Sequence, residues 1–167
     1  PRWARIGPSP IPAGPGWSIP HAMSMADIEQ VIGEFESAAR RADAAGFDMV
    51  ELHFGHGYLV TSFLSPVSNK RTDAYGVNRE GRMKLAVDLA SRVRAVWPEE
   101  KPLWCRLSVV DGAVDGWGEE DSIQLVRRLQ AVGVDVIDCS SGGLTEQTNA
   151  FPLARGLGFQ VPFARLI

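Results

Sequence analysis

Three short apolar runs, residues 47–53, 103–110 and 134–138, recur at intervals of about 45 residues, and each follows a segment whose apolar side chains repeat at helical spacing. Ser24 opens the first such segment, with Asp27 three residues on as a capping-box variant that sets a carboxylate at the positive end of the helix dipole. Ile28, Val31, Ile32, Phe35, Ala39 and Ala42 make its stripe, and Gly46 ends it. A second helix is expected over residues 78–97, with Ala86, Leu89, Ala90, Val93 and Val96 inward and Pro98 as its stop. A third is expected over 119–132, with Ile123, Val126, Leu129 and Val132 apolar and Gly133 after it, and residues 160–167 begin a last one. Helices alternating with strands predict a parallel sheet joined by right-handed crossovers, its strands covered on both faces.

Two α/β architectures satisfy that alternation: an open doubly wound sheet, or about three to four consecutive βα units of a (β/α)8 TIM barrel. No GxGxxG or GxxxxGK follows any strand, and polar residues gather at three successive strand ends, which favours the partial barrel over residues 24–167. Ahead of it, residues 1–20 hold six prolines and three glycines, so residues 1–23 are expected to be irregular. Trp3, Ile6, Ile11 and Trp17 are too apolar for a free linker, and packing is the expectation.

The strand ends carry the chemistry. After the first strand come His53, His56 and Tyr58, with Gly55 and Gly57 between them. Residues three apart on a strand point to opposite faces, so the two histidines share a target only if the chain turns between them. One buried and one surface histidine is the plainer alternative. On the second strand, Leu103, Cys105 and Leu107 take one face and Trp104, Arg106 and Ser108 the other; a buried Arg106 needs an internal carboxylate or an anionic ligand. The third strand runs into Ser140, Ser141, Gly142 and Gly143, which let a backbone approach a ligand closely. Residues 59–64 suit a short helical turn. Residues 65–76 form a polar loop long enough to suggest function, and the charges of the second helix read as a solvated face.

A net charge of -3 over 167 residues, with both signs mixed, argues against a nucleic-acid surface and for a small-molecule partner. Cys105 and Cys139 sit in strands and are expected reduced. No apolar run approaches the roughly 18 residues that span a bilayer, so no membrane partner and a cytoplasmic location are expected.

HFGHGYLVTSFLSPVSNKRTDAYG, residues 53–76, resembles the signature of the old yellow enzyme family, FMN-dependent ene-reductases on a (β/α)8 barrel. The resemblance continues through WCRLS, through residues 116–143 and into GFQVPFA at 158–164, and so covers nearly the whole chain. It implies that His53 and His56 donate hydrogen bonds to the oxygen of an activated alkene, as an oxyanion hole does. Tyr58 matches the proton donor to the α carbon, Arg106 the partner of the flavin N1 and C2 carbonyl, and Ser140 and Gln160, with His53, positions beside the cofactor. FMN as cofactor, NAD(P)H as hydride donor and an enone-type substrate are implied with them, and a homo-oligomer is possible. Val77 stands where the family has a second glycine, and Gly81 interrupts its ENR.

The resemblance reaches only the middle of that barrel, since the family's first three strands and last two βα units have no counterpart here. A half barrel leaves open sheet edges, so the chain is expected to be part of a longer one or to meet a partner. The rival to an oxidoreductase is therefore a catalytically inactive assembly or binding module. A metal-dependent hydrolase with His53 and His56 as ligands is a third reading, without an acidic third ligand nearby.

Overall fold

The computed structural model describes residues 4–144 and 156–167. In order, its elements are β1 (Ile6–Gly7), β2 (His21–Ala22), α1 (Met25–Ala44), β3 (Val50–Phe54), α2 (Leu59–Leu64), α3 (Arg79–Arg94), β4 (Leu103–Ser108), α4 (Glu119–Ala131), β5 (Val136–Ser140) and α5 (Val161–Leu166). The sheet is parallel and ordered β3-β4-β5. Its registers run Leu52, Cys105, Ile137 and Phe54, Leu107, Cys139 on one face, and His53, Arg106, Asp138 on the other.

The helices begin and end where local chemistry dictates. Ser24 caps α1: its hydroxyl accepts the Asp27 N–H at 3.2 Å while the Asp27 carboxylate accepts the Ser24 N–H at 2.7 Å. Gly46, at φ +81°, turns the chain out of the helix. Asn78 caps α3 through the Gly81 N–H, and the Arg94 guanidinium meets the carbonyls of Trp97, Pro98 and Lys101 just past its end.

Helix α3 packs between α1 and α4, and the three cover the Leu52–Leu107 face of the sheet. Leu103, Cys105 and Leu107 are fully buried there, as strand alternation predicts. Burial sets Cys105 far from thiolate character, raising its pKa through desolvation. The α1 stripe holds, with Ile28, Ile32 and Ala39 buried and Val31, Phe35 and Ala42 packed against them. On α4 the innermost residues are Ser122, Leu125 and Leu129, whereas Ile123 and Val126 are half-buried. Ser122 was invisible to an apolar stripe because its hydroxyl is satisfied internally, accepting from Trp117 Nε1 at 2.7 Å and donating to the Val109 carbonyl at 2.7 Å.

Four expectations change. The strands are not covered on both faces: Glu51 and His53 are exposed, because helices occupy one side of the sheet. The segment before α1 is not wholly irregular, since β1 and β2 pair in parallel, Ile6 with His21 and Gly7 with Ala22. The α3 charges are not merely solvated: Arg92 bridges to Glu29 and Glu36 of α1, Arg79 to Asp121 of α4 and Arg94 to Asp135. The loop over residues 65–76 proves to be an anchor. Arg71 donates to the carbonyls of Pro8 and Met23 and pairs with Asp73, while Asn69 donates to Phe63 O and Tyr75 O. Gly76 is required there, since a Cβ would lie 2.5 Å from Arg71 Cβ, whereas Val77 stands exposed and tolerates the loss of a glycine. Trp3 and residues 145–155 lie outside the described residues.

Candidate active site

The open face of the sheet and the turns above it gather most of the polar residues singled out by sequence. His53 is not in the turn, as expected, but in β3 itself, side by side with Arg106 on β4 and, one strand further, Asp138 on β5. Arg106 Nε lies 3.3 Å from Asp138 Oδ2, so the internal carboxylate that a half-buried arginine demands is Asp138. Sequence reading named the need but not the residue, because only strand register brings positions 106 and 138 together. At that distance the angle does not make a hydrogen bond, and the buried Nε has no hydrogen-bond partner among the described residues.

His56 reaches the same region by unusual backbone. Its φ is +61°, followed by +74° at Gly57, so the turn between the histidines is made at His56 and Gly57 rather than at Gly55. A left-handed non-glycine residue needs outside support. Ser108 provides it: its hydroxyl accepts the His56 N–H at 2.8 Å and donates to Gly142 O at 3.0 Å. The glycines on both sides are there for close approach. A Cβ on Gly143 would lie 2.6 Å from His56 Cα, and one on Gly57 would collide with Gly143 O.

The His56 ring then meets Ser140, Nε2 to Oγ at 2.5 Å, and stacks obliquely on His53 with centroids 5.1 Å apart. Desolvation first, then the Arg106 and His53 charges, hold its pKa below the ordinary imidazole value. His56 is therefore neutral at pH 7. Tyr58 caps the start of α2 with its ring 5.6 Å from that of His53 and 67% exposed. His53, His56 and Tyr58 thus form one cluster, and Ser140 belongs to it through His56.

Gln160 is held differently from Ser140. Its Nε2 donates to Ser141 Oγ at 3.0 Å, and its buried Oε1 has no partner among the described residues. An orphaned cationic donor on Arg106 and an orphaned amide acceptor on Gln160 are the complement that a flavin ring, with carbonyls and an N–H on one edge, would fill. The residues present fit such a group. Among the described residues no three His, Cys, Asp or Glu side chains converge as a metal site requires. Ser108 and Asp138 are the members of the site that sequence reasoning did not single out as acting on it.

The chain is similar to known proteins over most of its length. Residues 11–156 match the model of the NADH:flavin oxidoreductase / NADH oxidase family. The NADPH dehydrogenase of Geobacillus thermodenitrificans is 41% identical over 163 residues, covering 97% of this chain and 46% of that protein. That of Bacillus velezensis is 42% identical over 161 residues, covering 96% and 46%. Among solved structures, the old yellow enzyme homologue from Zymomonas mobilis superposes with a TM-score of 0.74 at 28% identity over 87% of this chain and 46% of that one. Morphinone reductase in complex with tetrahydroNAD shares the fold, with a TM-score of 0.75 at 23% identity over 99% of this chain and 47% of that one. The chain spans about half the length of the curated relatives it matches. FMN as cofactor comes with the family, and NADPH is named in what both relatives are called. The three βα units described here are an arc of a (β/α)8 barrel, and the chain belongs to the NADH:flavin oxidoreductase / NADH oxidase family, that of the old yellow enzymes.

Proposed function

We propose that the barrel to which these units contribute reduces the activated C=C bond of α,β-unsaturated carbonyl compounds at the expense of NAD(P)H. The observation that carries this is the cluster of His53, His56 and Tyr58 at the end of β3, the His53 ring lying 5.1 Å from that of His56 and 5.6 Å from that of Tyr58, beside the Arg106 cation of the next strand. FMN, when bound, supplies hydride transfer. The chain's own residues supply binding and polarisation.

Two N–H donors on His53 and His56 would hold the carbonyl oxygen of the substrate and stabilise the negative charge that gathers there as the alkene is reduced. A neutral His56 has one ring proton. For that proton to face the substrate from Nδ1, the Ser140 hydroxyl must donate to Nε2, so Ser140 sets the tautomer. Tyr58 would deliver a proton to the α carbon; a phenol stays protonated at neutral pH and serves as an acid. Arg106, Gln160, Ser140 and His53 would hold the cofactor edge, with Arg106 stabilising negative charge on it.

The test is stopped-flow kinetics of the FMN-loaded protein with 2-cyclohexenone. His56→Ala should slow alkene reduction about a hundredfold or more, the scale of one lost oxyanion donor, while leaving reduction by NAD(P)H within about twofold, and His53→Ala, which also borders the cofactor, should slow alkene reduction more than reduction by NAD(P)H. Tyr58→Phe should spare the hydride step and slow protonation. Unchanged alkene rates in both histidine variants would remove the oxyanion role.

A further inference from the structure

A cavity of about 400 Å³ lies between the segment ahead of α1 and the start of α2, with Tyr58 and Gly57 in its lining. That size is within the range of small-molecule pockets. Its outer wall is fixed rather than draped. The β1–β2 ladder is extended by His21 N–H to Arg5 O at 2.8 Å and Met23 N–H to Gly7 O at 2.9 Å, and Lys70 N–H donates to Ser9 Oγ at 2.9 Å. Arg71 fastens the same segment at the carbonyls of Pro8 and Met23.

A wall held this firmly still leaves large apolar side chains unburied. Ile6, Ile11 and Trp17 line the cavity and are 41%, 37% and 46% exposed. On the α2 side the hydroxyls are already committed, Ser62 to Leu59 O and Ser68 to Ser62 O, each at 2.6 Å. Arg5 is the only charged residue among the described lining residues, and its guanidinium stacks 5.1 Å from the centre of the Trp17 ring, so cationic groups are disfavoured at that wall. The lining is mostly apolar, and it includes Tyr58, whose ring lies 5.6 Å from that of His53.

We propose that this cavity receives a neutral, apolar substituent of the substrate whose carbonyl oxygen lies at His53 and His56, and that Ala13 and Trp17 in its wall set how large that substituent can be. The inference rests on the function proposed above, because the orientation of the substrate comes from the histidines. Tyr58 belongs to both regions: it lines the cavity, and its ring lies 5.6 Å from that of His53. Burial of each methylene there should strengthen binding about fourfold until the space is full.

The test separates the cavity from the chemistry. Titration calorimetry of the FMN-loaded protein with saturated 2-alkanones, which cannot be reduced, should show affinity rising with chain length to a plateau. Ala13→Trp, which fills the cavity from an exposed wall position, should bring the plateau to shorter chains, and Trp17→Ala should move it to longer ones. In turnover, Ala13→Trp should lower the ratio of kcat/KM for a cyclohexyl-substituted enone to that for 2-cyclohexenone at least about tenfold. Should Ala13→Trp fail to fold, the Trp17→Ala plateau decides alone. A flat chain-length series, or plateaus and ratios unmoved by the substitutions, would overturn the assignment. A chain-length series that behaves as expected in a protein that reduces no enone would instead overturn the proposed function and keep the cavity.

Discussion

Gly57 and Gly143 meet backbone to backbone: there is no room for a Cβ on either, and one on Gly143 would lie 2.6 Å from both the Cα and carbonyl carbon of His56. The turn after β3 and the turn after β5 are therefore one packed unit, and the left-handed His56 is supported from the neighbouring strand ends. Gly143→Ala adds that Cβ at a residue already at φ +96°. Backbone atoms cannot rotate away as a side chain would, so a loss of about 2–4 kcal/mol is expected in urea unfolding. The His56 ring resonances should shift with it. A loss below about 0.5 kcal/mol would mean the turns part easily.

Ser140 should matter to chemistry more than to stability. Its hydroxyl is the partner of His56 Nε2 at 2.5 Å, and Ser140→Ala leaves the imidazole free to exchange its proton between the two ring nitrogens. Alkene reduction should fall roughly two- to tenfold, the scale of one lost hydrogen bond, and Ser140→Thr should recover most of it. Nitrogen chemical shifts of the His56 ring read the tautomer directly. A single tautomer unchanged in Ser140→Ala would assign the ring's orientation to something else.

The pH dependence has a definite sign. His56 titrates below its unfolded value of about 6.5, chiefly through desolvation and the Arg106 charge. Between the two values the unfolded chain binds more protons than the folded one, so stability rises with pH across that window. As pH falls below about 6.5, the folded state loses stability progressively, and the loss levels off below the folded pKa. His56→Asn should flatten that part of the profile, which denaturation midpoints from pH 4 to 8 would measure. A folded-state titration of the His56 ring at or above 6.5 would refute the assignment.

What could be read in the sequence followed from periodicity and local chemistry. Ser24 with Asp27, the apolar spacing from Ala86 to Val96, and the alternation of Leu103, Cys105 and Leu107 against Arg106 all act within a few residues, and they place α1, α3 and β4 nearly to their ends. Residues 53, 56 and 58 are neighbours in the chain, so their clustering was also legible. The Arg106–Asp138 pair, the Ser108 bridge from His56 to Gly142 and the contact of Gly57 with Gly143 were not. Each depends on which strand lies beside which and in what register, and no period in one segment encodes that. The buried hydroxyl of Ser122 was hidden for a related reason, since its partners, Trp117 and Val109, come from the loop before α4 and the end of β4.

Asp111 is the clearest test of how the loops above the sheet hold one another. Its carboxylate is fully buried, 46 residues from the Ser65 hydroxyl that donates to Oδ2 at 2.5 Å. Trp117 N–H donates to the same oxygen at 2.8 Å and Ala113 N–H to Oδ1 at 2.8 Å, so every contact made to it is a donor. Asp111→Asn must turn an NH2 group toward either the Ala113 N–H or the Trp117 N–H and Ser65 hydroxyl, in a space so tight that a Cβ on Gly116 would collide with Oδ1. A loss of about 2–4 kcal/mol is expected, larger than for Ser65→Ala, which removes one donor and leaves two. The two substitutions should be non-additive, because once the amide replaces the carboxylate the serine has less to lose. Urea unfolding of the two single variants and the double one measures the coupling. Strict additivity would show that the α2 end and the loop after β4 are tied together elsewhere.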